Sequence, residues 1–151
     1  MNKRSAEYKP LLFTTTLRNP ERLKDFLAIF SEYDGEILTS EVIKKVAKSL
    51  IKKGLYQPNK VSRVIKDKWK NEVELNEEET NKVFSDNPQS HKEAGFDRGW
   101  PSRFDTWFKI AKELGFVWYW PNEQIKFSES GKMLLDKEKP ENELLVFANA
   151  F

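Results

Sequence analysis

Arg103, Thr106 and Lys109 stand three apart in a stretch that reads as helix, so their side chains share one face. Guanidinium, hydroxyl and ammonium groups spaced in this way can reach base edges in a DNA groove, with arginine matching the O6 and N7 acceptors of guanine. Arg98 lies on the loop that leads into this helix, and Asn122 and Gln124 lie in a turn beyond it, where they can read an adjacent groove. A second set, Lys60, Arg63, Lys66 and Lys70 with Lys68 among them, has the chemistry of phosphate neutralisation. Arg18 and Arg22 add two cations near the amino terminus, whose plainer roles are an ion pair with a helix acid for Arg22 and a structural one for Arg18. Catalytic constellations do not compete. The chain has no cysteine and a single histidine, His91, which excludes disulfides, thiol catalysis and a histidine triad, and leaves too few ligands for a zinc site. Glu77, Glu78, Glu79 and Asp86 can in principle gather around Mg²⁺, but three consecutive glutamates in a first helical turn are explained by the helix dipole.

The elements that must position these groups follow from local signals. Ser102 and Asp105 read as a capping box that opens a helix over 102–114. Phe104, Trp107, Phe108, Ala111 and Leu114 form its apolar stripe, and Gly115 closes it. Arg103, Thr106, Ile110 and Glu113 are expected on the opposite face, with Lys109 at the border. Phe116–Trp120 is an aromatic, β-prone run, residues 121–124 form a turn, Ile125–Phe127 pairs back, and Ser128 caps a further helix. Helix followed by hairpin is the punctuation of a winged helix, with the wing over 116–127. The plain alternative is a core helix packed on a hairpin, and many winged helices bind protein rather than DNA.

Upstream, Leu11–Leu17 suggests a strand, and Asn19-Pro20 is a cap and first helical residue for a helix burying Leu23, Phe26, Leu27 and Phe30. After the turn at Asp34-Gly35, Thr39 or Ser40 caps a helix with Val42, Ile43, Val46, Ala47, Leu50 and Ile51 inward, closed by Gly54. A third helix covers about 59–70 through Val61, Val64, Ile65 and Trp69. Asn76 and Glu79 form a capping box for an acidic helix running to about Phe84. Residues 87–101 read as a long loop. Pro140–Glu143 opens a last helix, 140–151, that stops at Phe151 without a cap, as a truncated element would.

Composition fits this outline. The chain has 151 residues, 38% of them hydrophobic and 13% aromatic, enough for one domain burying roughly two-thirds of its unfolded surface. Charged residues make up 33%, mean hydropathy is −0.71, and no apolar run approaches the ~20 residues of a membrane span. A soluble, cytoplasmic protein without a membrane partner is expected. Net charge is only +2, but it is segregated along the chain. Residues 41–70 hold ten Lys or Arg against Glu41 and Asp67, whereas 71–97 hold eight acids against Lys82 and Lys92. Such segregation can create a phosphate-attracting face. Lys44, Lys45, Lys48, Lys52 and Lys53 read as the solvated surface of their helix.

Two blocks resemble one family. Arg18-Asn19-Pro20-Glu21-Arg22-Leu23 resembles the Arg-x-Pro-x-Arg/Lys segment near the start of the AlwI-like type IIS restriction and nicking endonucleases. Pro101-Ser102-Arg103-Phe104, Lys112-x-x-Gly115-Phe116-Val117 and Ser128-x-x-Gly131-Lys132-Met133-Leu134 resemble the later part of their amino-terminal recognition region. The resemblance implies a reader of an asymmetric site in double-stranded DNA, acting as a monomer. In that family a separate carboxy-terminal domain of the PD-(D/E)xK type cuts with Mg²⁺. That domain is expected to be absent from this chain, whose only Glu-x-Lys is Glu7-Tyr8-Lys9. The chain itself is expected to be non-catalytic and to hold no cofactor. The fold expected is mainly α with small β elements: a helical part over about 10–86, the loop 87–101, a winged-helix part over 102–135 and the truncated last helix. The alternative is a free-standing winged-helix transcription regulator, with the last helix as a dimerisation element, or a protein-interaction module.

Overall fold

The structure is a computed structural model and describes residues 20–136. The expected strand at 11–17, the cap Asn19, Arg18 and the helix at 140–151 lie outside the described residues. What is described is mainly helical with one small antiparallel sheet: α1 (Pro20–Ser31), α2 (Ser40–Lys52), α3 (Arg63–Lys70), α4 (Glu77–Asp86), α5 (Trp100–Glu113), β1 (Val117–Trp118), β2 (Lys126–Phe127) and α6 (Glu129–Leu134). The described residues form two compact units, one of 20–38 with 106–136 and the other of 39–105, and the boundary falls within α5. No helix of the described residues is long and apolar enough to cross a membrane.

In the first unit, α1 buries Leu23, Phe26, Leu27 and Phe30, as their spacing requires, and also Ile29. Phe26 meets Trp107 edge-on at 6.2 Å, and Phe30 lies 4.7 Å from Phe108, 5.8 Å from Tyr119 and 5.5 Å from Phe127, so the core is an aromatic cluster with mostly edge-to-face contacts. In the hairpin Val117 pairs with Phe127 and Trp118 with Lys126. Val117 and Phe127 are buried while Trp118 and Lys126 are exposed, as strand alternation demands. A third strand-like segment joins it. Gly35 N–H donates to Ile125 O, Ile125 N–H to Glu36 O, and Leu38 N–H to Glu123 O, with Ile37 bridging Gln124. Ser128 caps α6, accepting from Gly131 N–H and donating to Gly115 O.

The second unit has its own core, in which Ile51, Ile65, Trp69, Leu75 and Val83 cluster beneath Tyr56, Val61, Phe84 and Trp100. Thr39, rather than Ser40, caps α2, whose six expected residues are all buried. Gly54 follows with φ +73°, and a Cβ there would lie 2.8 Å from Trp69 Cδ1, so both backbone and packing require glycine. The Asn76–Glu79 capping box is formed reciprocally.

Three expectations are corrected. The third helix starts at Arg63 and not near 59, because Ser62 is its cap, accepting from Ile65 N–H. This two-turn helix buries only Ile65 and Trp69, one turn apart, and Val64 is 61% exposed. Helix α5 starts at Trp100, so Ser102 is no cap. Its hydroxyl is buried, donates to Asp97 O and accepts from Glu93 N–H, which ties the long loop to the helix. Ile110, placed on the polar face by periodicity, is only 2% exposed, and Asp105 is buried as well.

Candidate nucleic-acid interface

In the second unit, α3 presents Arg63, Lys66 and Lys70 at i, i+3 and i+7, the face turned away from Ile65 and Trp69. All three are exposed, and their side chains have no ion pair or hydrogen bond among the described residues. Asp67 is the acid among them. Lys68 differs, because its ammonium is bound by Glu79 at 2.7 Å. Of the lysines on α2, Lys44 pairs with Glu41 and Lys48 sits over the Phe84 ring, so these have surface roles. Lys53, just after the helix, pairs with Glu74.

Lys60 belongs to a different construction. Asn87, buried at the end of α4, accepts from Lys60 N–H and donates to Lys60 O and Val83 O, so one amide fixes the backbone at Lys60. The Lys60 side chain is exposed. It lines a polar cleft of about 440 Å³ with Tyr56, Gln57, Asn59, Gln89 and Arg103. Arg103, expected to point at bases, is half-buried here. Its Nε donates to Gln89 Oε1 at 2.9 Å, the same oxygen that accepts from Tyr56 Oη–H at 3.0 Å. Burial raises the Tyr56 pKa, opposed by the nearby Arg103 guanidinium, 6.0 Å from the ring centroid. Tyr56 in turn meets Trp100 edge-on, and Trp100 stacks on Phe84 at 4.6 Å and 13°. Arg98 is exposed and donates to Ser90 O. His91, in the same loop, pairs with Glu93 at 2.8 Å.

In the first unit, Lys109 is exposed and Thr106 half-buried on α5. Asn122 is exposed at φ +64°, and its N–H donates to Leu38 O. Gln124 is exposed, and its amide donates to Gly35 O, 89 residues away. Both turn residues therefore help hold the third strand-like segment. Arg22 is half-buried, with its guanidinium 5.6 Å from the Phe26 ring centre. Sequence reasoning missed one cluster. Lys112 Nζ lies 4.4 Å from the Tyr119 ring centre and within 5.7 Å of those of Trp118 and Trp120, two residues that are 47% and 37% exposed. Strand alternation puts Trp118 and Trp120 on one face, and that signal was legible.

Among the described residues, no group of three or more His, Asp or Glu side chains is placed to hold a metal ion. Comparison with protein-family models, with curated proteins and with solved structures found no match.

Proposed function

We propose that the chain recognises double-stranded DNA sequence-specifically, inside the cell, as the amino-terminal reading part of a type IIS restriction or nicking endonuclease. Cutting, with Mg²⁺, belongs in this reading to a nuclease domain outside the chain. The observation that carries the proposal is the bridge between Ile37 and Gln124. It joins the segment after α1 to a hairpin that directly follows α5, and this supports a winged-helix-like reading of the first unit, with the second half of α5 leading into the hairpin as its wing. That reading makes the second half of α5, with Thr106 and Lys109, the base-reading element and Asn122 a residue of the wing. Arg63, Lys66 and Lys70, unpaired among the described residues, supply the sequence-independent phosphate contacts in this reading.

Selection from a randomised duplex pool at moderate salt tests this. A short asymmetric consensus supports the endonuclease reader, and an inverted repeat favours a dimeric regulator. An absence of duplex binding overturns the proposal. The exposed Trp118 and Trp120 would then favour the protein-interaction reading, since aromatic residues are enriched at such surfaces.

A further inference from the structure

We infer that the cleft of the second unit is a binding site for the phosphate of a nucleotide, with Arg103 and Lys60 as its cationic ligands. Arg103 is pre-oriented. Gln89 Oε1 holds its Nε, and Gln89 is itself fixed because its amide nitrogen donates to Asn87 O at 2.8 Å. The terminal guanidinium nitrogens make no hydrogen bond among the described residues, so a two-pronged donor faces no protein acceptor. An arginine fork held in this way matches two phosphate oxygens. Lys60 adds a point charge on a backbone clamped from both sides by Asn87. None of the residues lining the cleft is acidic, so nothing in its wall neutralises the two cations.

The remaining wall selects a nucleotide over a bare anion. Tyr56 and Pro88 offer apolar surface for a sugar or base, and the exposed Asn59 amide, unengaged among the described residues, can pair with polar edges. A volume of about 440 Å³ is within the roughly 300–1,000 Å³ of small-ligand pockets. The ligand can be a free mononucleotide or a nucleotide within a single strand, and the phosphate chemistry is common to both.

Calorimetric titration of the whole chain with deoxyadenosine 5′-monophosphate tests the assignment, with deoxyadenosine as the phosphate-free control. Saturable binding of the nucleotide, about tenfold or more tighter than the nucleoside, is expected. Lys60→Ala and Arg103→Gln should each weaken it about tenfold, and Lys45→Ala should not change it. Lys60 is exposed, so Lys60→Ala carries the test should Arg103→Gln unfold the protein. Equal affinity for nucleotide and nucleoside, or a Lys60→Ala variant that binds like the wild type, overturns the inference. Displacement of the nucleotide by a single-stranded oligonucleotide without terminal phosphates identifies an in-strand phosphodiester as the ligand. Failure to displace identifies the monoester, and either outcome supports a phosphate site. Duplex binding is a separate readout: a chain that binds duplex but not the nucleotide overturns the cleft alone, and the converse overturns only duplex recognition.

Discussion

A Cβ at residue 131 would lie 2.1 Å from the carbonyl oxygen of Phe116, so Gly131 is where α6 touches the start of the hairpin backbone to backbone. Ser128 caps the same helix and anchors to the same region through the Gly115 and Phe116 carbonyls. The Ser128-x-x-Gly131 spacing is therefore a docking device, with a cap and a gap one turn apart. Gly131→Ala has no flexible neighbour to displace. It should destabilise the first unit by at least about 1–3 kcal/mol, read as a lowered urea midpoint. An unchanged midpoint would mean that α6 does not dock as described.

Asn87 makes three hydrogen bonds through one buried amide and sets the position of Lys60. Asn87→Ala leaves two carbonyls and an N–H without that partner, at a cost of about 2–3 kcal/mol. Asn87→Asp keeps the acceptor for Lys60 N–H but turns a charge towards the Lys60 and Val83 carbonyls, and should destabilise as well. Denaturant unfolding of both variants checks this. If both are as stable as the wild type, the clamp is not formed.

Phosphate contacts and base contacts separate by their response to sequence and salt. Lys66→Ala should weaken binding to specific and random duplexes alike and reduce the salt slope by about one. Lys109→Ala should cost about 1–3 kcal/mol on the preferred site and less on random DNA. Titrations across a salt series on both duplexes decide it, and identical behaviour of the two variants would remove the assigned roles.

Glu79 is held below the usual carboxylate pKa of 4.5, first by its hydrogen bond with Lys68 and then by that with the Asn76 backbone. A group whose pKa is lower folded than unfolded adds stability that is complete above the unfolded value and is lost as pH falls through the folded one. Glutamine at this position can still complete the capping box, so Glu79→Gln removes mainly the charge. The wild type should be the more stable at neutral pH, and its advantage should shrink below about pH 4.5 and vanish at lower pH. Urea midpoints of the two proteins across that range measure it. A gap independent of pH would exclude the charge as its source.

Much of the scaffold was legible because its signals are local. The stripes of α1 and α2, the Asn76–Glu79 box, the Ser128 cap and the glycines after α2 and α5 depend on residues within about one turn of one another. Periodicity also predicted burial of Phe104, Trp107, Phe108 and Ala111, which are buried, and of Leu114, which is only half-buried at the end of the stripe. It went wrong where burial depends on which neighbours a helix meets. Ile110 is covered on the face assigned to polar contacts, and Val64 is left open because it lies off the stripe formed by Ile65 and Trp69.

The candidate sites divide along the same line. The cations of α3 follow from the sequence alone, since i, i+3 and i+7 must share a face on any helix. Arg103 does not. Its place beside Lys60 depends on Gln89, fourteen residues back, and on an Asn87 amide that reaches 27 residues back to the loop. Ser102 likewise looks like a cap until the loop folds over it and takes its hydroxyl. The bridge from Ile37 to Gln124 spans most of the described chain. The sequence by itself determined where helices start, where they stop and which stripe they bury, because those choices are settled within a few residues. Which polar side chains are consumed as internal ties and which stay free for a ligand was decided only by tertiary structure, because hydrogen-bond partners far apart in the chain leave no periodic trace in it.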